Sequence, residues 1–348
     1  MLALVFRGEW MIQTIKKILA AAGLVAAFAL CSGAQAQPLK IRISWVAIPN
    51  NLPPLFMEKP EVMSRVGQSY IIDAIRFPGT PQSVAALASG DLDIALLTFS
   101  SFPLAIQNAK LEDLRIIGDE FIDGMPGNYS AEFLVLKDGP ISKIEDLKGK
   151  TAAVNVRGGG TDMALRAITK KHGLEEKRDY TAVEVAFSNM KATLLEKKVD
   201  LVGLGVPAFS ADPSLRAVLR PLFTQRDALG PTAQVIWVAR EGFLQRNRAA
   251  LIDFMADALR ARQFFTDPKN HNEVVNIVSR VNKQPREQLD SWLFTKDDFY
   301  RSPDGVLDLA ILQNNVKQMV DLGFLKSGID VRKYQDFSIV KEAGQRLK

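Results

Sequence analysis

The chain has 348 residues, with 44 Lys and Arg against 39 Asp and Glu, two histidines and one cysteine, for a formal net charge of +5. The charges are scattered and form no basic block, which argues against nucleic-acid binding; a mild positive balance is compatible with an anionic ligand without demonstrating one. The single cysteine excludes a disulfide framework.

The first 36 residues read as a signal peptide. Lys16 and Lys17 precede an apolar run, 18–30, followed by Ala34-Gln35-Ala36, a small-x-small cleavage site. The run is about 13 residues, short of the roughly 20 that a transmembrane helix needs. Leu30 stands before Cys31, where a lipoprotein signal wants a small residue, so cleavage after Ala36 is expected in place of lipid anchoring. Glu9 is out of place in a positive leader, which makes Met11 an alternative start to Met1. The 312 residues from Gln37 onward contain no cysteine, and a core of that size needs none.

After the leader, β-like and helix-like segments alternate. Residues 39–45 alternate apolar and polar as a strand does, and 69–77 is β-branched and aromatic. Thr80-Pro81 predicts a helix with a hydroxyl N-cap and proline at its first position, with Val84, Leu87 and Ala88 as its stripe and Gly90 as its stop. Residues 94–97 follow as a buried, parallel-type strand. The unit returns about 107 residues later: "AALASGDLDIA" (85–95) is matched by "ATLLEKKVDLV" (192–202), with Asp93 and Asp200 in the same place. The second copy is preceded by "DLKGKTAAVNV" (146–156), a glycine loop and a helix over 161–171. Thr161 or Asp162 would cap that helix, Lys170, Lys171 and His172 favour its C-terminal dipole, and Gly173 stops it. Strand-helix-strand units of this kind build α/β lobes with parallel sheets. The isolated β-like runs 132–137 and 234–239 are suited to carry the chain from one lobe to the other. Beyond Gly242 the pattern is helical, with stripes at Leu251, Phe254, Met255, Ala258 and Leu259, at Val274, Ile277, Val278 and Val281, and over 307–322.

Four loops are candidates for binding. "RGGGTD" (157–162) lacks the third glycine of a dinucleotide motif, where Met163 stands, and the Lys-Ser/Thr of a P-loop. Gly158, Gly159 and Gly160 would still let backbone N–H groups approach an anion at a helix N-terminus, with Arg157 adding a charged fork; the alternative is a tight turn with a solvated arginine. "TFSSFP" (98–103) puts Thr98, Ser100 and Ser101 at the C-terminal end of a strand, where they either bind an anion's oxygens or cap the next helix. The loop after the first strand offers Trp45, Asn50 and Asn51, and "GLGVPAF" (203–209) is the fourth candidate. Phe99, Phe102 and Phe209 are candidates for an apolar wall or for core. No nucleophile is paired with a base: His172 and His271 read as solvated, Asp297-Asp298 as a solvated helix entry, and no Cys/His cluster is present. No catalytic residue, metal or cofactor is assigned, and the pattern fits capture better than conversion.

Residues 81–106, 141–174, 189–209 and 235–261 together resemble the periplasmic substrate-binding proteins of ABC importers for nitrate, sulfonates and taurine. That family includes relatives of the thiamine-pyrimidine synthases. The resemblance implies a two-lobed α/β fold of the type II periplasmic binding proteins, each lobe a mostly parallel sheet flanked by helices, joined by two crossing segments. Lobe 1 would comprise 37–131 and 234–348, and lobe 2 132–233. It places the ligand in the interlobe cleft, held by Asn50, Asn51, Thr98, Phe99, Ser100, Ser101, Arg157, Gly158, Gly159, Gly160, Thr161, Asp162, Val206 and Pro207. It implies a periplasmic monomer that captures a small organic anion (a sulfonate, taurine-like compound or carboxylate), closes by hinge motion and delivers it to an ABC permease. Alternatives are a ligand sensor acting on a receptor, or a site for a neutral pyrimidine or aromatic. The chain departs from the family pattern at Pro60, which interrupts the helix usually following the first strand, and it lacks the cysteine-rich motif and active-site histidine of the synthases.

Overall fold

The computed structural model describes residues 37–347; the leader expected over 1–36 lies outside them. Ten strands form two five-stranded sheets. The chain runs through β1 (Leu39–Trp45), β2 (Tyr70–Arg76), β3 (Ile94–Leu97) and β4 (Leu114–Asp123). It then builds β5 (Glu132–Leu136), β6 (Thr151–Val154), β7 (Thr181–Glu184), β8 (Leu201–Leu204) and β9 (Leu219–Thr224), and returns as β10 (Thr232–Arg240). The sheet orders are β2-β1-β3-β10-β4 and β7-β6-β8-β5-β9. In the first, β1 pairs parallel with β2 and β3, while β10 runs antiparallel to β3 and β4. In the second, β6 pairs parallel with β7 and β8, while β5 runs antiparallel to β8 and β9. Each sheet therefore has one reversed strand, and in each it is the first strand laid down after a crossing.

The helices are α1 (Thr80–Ser89), α2 (Ser101–Ala109), α3 (Gly160–Lys171), α4 (Phe187–Leu195), α5 (Ala208–Ala211), α6 (Gln225–Leu229), α7 (Glu241–Arg246), α8 (Arg248–Thr266), α9 (His271–Asn282), α10 (Leu309–Asp321) and α11 (Ser338–Gln345). The stripe expected from Leu251 to Leu259 is buried on α8, where Phe254 meets Tyr70 of β2 edge-on at 5.3 Å. The segment around Pro60 forms two short 3-10 turns, Pro53–Glu58 and Pro60–Val62, each opened by a proline.

The repeated unit has a structural meaning. Asp93 Oδ2 accepts from Arg42 N at 2.9 Å, and the Asp93 N–H donates back to Arg42 O at 3.0 Å. Asp200 does the same with Thr151 at 2.9 and 2.8 Å. In both sheets the aspartate clamps the entry of one parallel strand onto its neighbour, satisfying backbone groups that the ladder has not yet paired.

Two helix starts differ from the sequence expectation by one residue. Gly79 and Gly159, both extended, hold the N-cap positions of α1 and α3. Thr80 and Thr161 sit inside the first turns, and their hydroxyls have other partners. Asp298, expected to be solvated, is fully buried: it accepts from the N–H groups of Phe294 (2.9 Å) and Phe299 (2.7 Å) and lies 3.5 Å from Arg301.

Candidate functional site

The C-terminal ends of β1, β3, β6 and β8 point toward one cavity between the two sheets. The cavity has a volume of about 70 Å3, several times the roughly 10–15 Å3 that one water needs. The first lobe brings Asn50 and Asn51 from the loop after β1, Gly79 and Thr80 from the start of α1, and Thr98 from the end of β3. The second brings Asn155, Gly159, Gly160 and Thr161 from the start of α3, Phe187 from α4 and Gly205 from the end of β8. Gln234 of β10, with Phe121 and Phe299, completes the wall. No lining residue carries a charge.

Polar capacity at this wall comes from donors. The N–H groups of Gly160 and Thr161 lie in the first turn of a helix and take no backbone acceptor among the described residues. Thr80 occupies the corresponding place in α1, so two positive helix ends from two lobes open onto one space. Asn51 Oδ1 is occupied by the N–H groups of Val46 (2.8 Å) and Ala47 (3.2 Å), which turns its amide NH2 outward. Gln234 Oε1 likewise accepts from Gln225 Nε2 at 2.5 Å. A Cβ on Gly160 would lie 2.5 Å from Gln234 Nε2 and would displace that amide from the cavity wall. A set of N–H donors without a full counter-charge suits the oxygens of a small, delocalised anion in a low-dielectric pocket.

The expected residues divide into two groups. Asn50, Asn51, Thr98, Gly159, Gly160 and Thr161 line the cavity. Trp45, Phe99, Ser100, Ser101, Arg157, Gly158, Asp162, Val206 and Pro207 do not. Trp45 donates to Ala74 O at 3.3 Å beneath Arg76, and Phe99 is fully buried in the core, as are Phe102 and, nearly so, Phe209. The aromatic wall is instead Phe121, Phe187 and Phe299. Arg157 turns away: its guanidinium pairs with Glu176 and donates to Ala182 O at 2.9 Å, while its N–H is held by Glu184 at 2.7 Å. Asp162 accepts from Gly158 N at 2.9 Å inside the loop, and burial pushes its carboxyl up. Val206 O accepts from Tyr129 OH at 2.9 Å. Pro207 lines a separate cavity with Tyr129, Glu132 and Arg216.

Ser100 and Ser101 have a different task. Thr80 Oγ1 bonds Ser101 Oγ at 2.7 Å, Thr98 Oγ1 accepts from Ser101 N at 3.2 Å, and Ser100 Oγ donates across the cleft to Gly158 O at 3.0 Å. Two further bonds cross nearby: Asn50 Nδ2 to Gly205 O at 2.7 Å and Asn155 Nδ2 to Pro78 O at 3.1 Å. Gly79 permits this approach, since a Cβ there would overlap Val156 Cγ1 of the other lobe. Thr98 thus both accepts from the first N–H of α2 and faces the cavity.

Behind the Phe121–Phe299 pair (4.7 Å), Arg301 stacks 5.6 Å from Phe121 and donates to Asn50 O at 3.2 Å. Burial raises the carboxyls of Asp119, Glu120 and Asp298, offset in part by Arg262 and Arg301 at the first two and by Arg301 at Asp298. This buried network fixes the floor of the cleft. Glu120 holds Leu52 N and Trp237 Nε1, each at 2.6 Å, and so anchors the end of the Asn50–Asn51 loop to β10. Of the wall, Gln234, Phe121, Phe187 and Phe299 were not singled out from sequence. Gln234 alone left a trace, as a polar residue at the start of an apolar crossing segment.

Two α/β lobes closing on a donor-rich cavity at their strand ends define a two-lobed α/β binding-protein fold. The chain belongs to the NMT1-like family, whose model matches residues 34–279. It is similar to the putative aliphatic sulfonates-binding protein of Escherichia coli (strain K12), at 24% identity over 197 residues, spanning 56% of this chain and 57% of that relative. Among solved structures it shares its fold with the periplasmic aliphatic sulphonate binding protein SsuA from Escherichia coli (TM-score 0.65, 18% identity, 87% of this chain and 99% of that one). It also shares it with the periplasmic nitrate-binding protein NrtA from Synechocystis PCC 6803 (TM-score 0.67, 14% identity, 89% of each). The fold is not confined to binding proteins: the desulfurization enzyme DSZB has it too (TM-score 0.60, 14% identity, 89% of this chain and all of that one).

Proposed function

We propose that this protein is an extracytoplasmic solute-binding protein that captures a small organic anion, a sulfonate, taurine-like compound or carboxylate, and delivers it to the permease of an ABC importer. The carrying observation is that the first turns of α1 and α3, one from each lobe, open onto the same uncharged cavity beside the free amide donors of Asn51 and Gln234. A ligand seated there touches both lobes and favours the closed form by that differential contact. In this reading lobe 1 comprises 37–131 and 234–348, lobe 2 comprises 132–233, residues 1–36 direct export to the periplasm, and the working form is a monomer. The reading includes no chemical step. Among the lining residues no histidine, carboxylate or amine stands beside the hydroxyls of Thr80, Thr98 and Thr161, which supports capture without conversion. The sulfonate- and nitrate-binding relatives support the ligand class.

The test is a thermal-shift and calorimetric screen of the purified protein against short sulfonates, taurine, small carboxylates and nitrate. A ligand at 100 times its dissociation constant should stabilise the protein by about 2.7 kcal/mol. Absence of binding across all four classes would overturn the reading, and conversion of a bound compound, followed by NMR, would replace it with an enzymatic one.

A further inference from the structure

We infer that the cleft ligand carries an N–H or O–H donor in addition to its anionic head, and that Asn50 reads this donor. The inference rests on the binding reading above and narrows its substrate class. Four amide side chains, Asn50, Asn51, Asn155 and Gln234, line the cavity, and they are disposed in opposite senses. Asn155, like Asn50, spends its NH2 group on the facing lobe, on Pro78 O at 3.1 Å, but of the two only Asn50 has a buried oxygen without a partner. Asn51 and Gln234 have their carbonyl oxygens satisfied within the protein, leaving NH2 groups for a ligand's oxygens. Asn50 is the reverse. Its NH2 group donates to Gly205 O at 2.7 Å, which fixes the orientation of the amide, because the flipped form would set two acceptors against each other. Its Oδ1 is then buried with no hydrogen-bond partner among the described residues.

Asn50 is 8% exposed and lines the cavity, and its position is fixed independently by Arg301, which donates to its main-chain oxygen at 3.2 Å. A buried acceptor without a donor is costly, and the cost remains in any complex that does not supply one. Nitrate and unsubstituted alkanesulfonates bring only acceptors. An amino- or hydroxy-substituted sulfonate or carboxylate brings both halves: oxygens for the N–H groups of α1 and α3, and a donor for Asn50 Oδ1.

A matched ligand set decides the matter. 2-Hydroxyethanesulfonate and taurine match propane-1-sulfonate in length and differ at the terminus, a hydroxyl, a protonated amine or a methyl, so the hydroxyl compound is the comparison free of a charge change. Calorimetry on the purified protein should show the two donor-bearing compounds binding at least about tenfold more tightly than propane-1-sulfonate. In Asn50→Leu that ratio should shrink to about twofold or less, with circular dichroism unchanged. Equal wild-type affinities would overturn the role of the donor while leaving anion capture intact, and they decide even if the variant does not fold. A ratio that survives in a folded Asn50→Leu would overturn the assignment to Asn50. Failure of every sulfonate and carboxylate to bind would remove the binding reading and this inference with it.

Discussion

The two lobes repeat one unit but use their acidic residues differently. In both, an aspartate clamps a parallel strand through its N–H, Asp93 onto Arg42 and Asp200 onto Thr151. Only in the first lobe does the clamped residue also answer with its side chain: the Arg42 guanidinium returns to both oxygens of Asp93, at 2.9 and 2.7 Å. The crossings show the same asymmetry. Asp123, at the end of β4, is fully buried and accepts from Ser130 Oγ at 2.6 Å and Ala131 N at 3.0 Å. Asp227, in the returning crossing, sits in an exposed capping box with Thr224. The shared backbone role is thus what the repeat preserves, and the charge pairing is specific to each lobe.

The sharpest way to break this comparison is to delete both clamps. Asp93→Ala should cost about 2–3 kcal/mol in urea unfolding, since a charged fork and a backbone bond are both lost, against about 1 kcal/mol for Asp200→Ala. Equal costs would mean that the Arg42 fork contributes nothing. Next in size is Gly79→Ala. Its Cβ would meet Val156 across the cleft, so the closed form should be disfavoured and ligand affinity should weaken about tenfold or more, with circular dichroism unchanged. A folded variant of unchanged affinity would show that the lobes do not need this approach.

Asp123 provides a pH test of the buried crossing. Burial pushes its carboxyl up to about 6, against an ordinary value near 3.8. The folded state therefore holds the proton more tightly, and stability rises as pH falls through about 6 toward 4. The expected gain from this group between pH 7 and pH 5 is about 1 kcal/mol, and Asp123→Asn should remove that part of the slope in parallel urea titrations. The smallest effect should be at Arg157. Its guanidinium is committed to Glu176 and Ala182 O, so Arg157→Ala should change ligand affinity less than about twofold by calorimetry. A tenfold loss would return Arg157 to the site.

Local pattern made much of the fold legible. Strand alternation over 39–45, the repeated aspartates and the α8 stripe depend on neighbours close in sequence or on periodicity. The helix starts were displaced by one because Thr80 and Thr161 look like caps, whereas Thr80 is engaged by Ser101, 21 residues away, and Thr161 by Asn155 N at 3.2 Å. The site was partly legible for the same reason. Glycines and amides at strand ends mark where a backbone can approach a ligand. Nothing near Arg157 in sequence reveals that Glu176 takes its charge, and nothing near Phe299 reveals that it faces Phe121 at the cavity. Asp298 misled most simply: an acidic pair after Thr295-Lys296 reads as solvated, yet the fold turns the N–H groups of Phe294 and Phe299 onto its carboxylate.

Among the hydrogen bonds that join the lobes around the cavity, the three made by Asn50, Ser100 and Asn155 have a kinetic consequence. Each neutral bond contributes on the order of 1 kcal/mol, and none of the three involves a ligand atom. A cleft fastened by its own side chains must come undone before it can load. Encounter with a ligand then waits on spontaneous opening, so the observed association rate should level off as ligand concentration rises, at a ceiling set by how often Asn50, Ser100 and Asn155 let go.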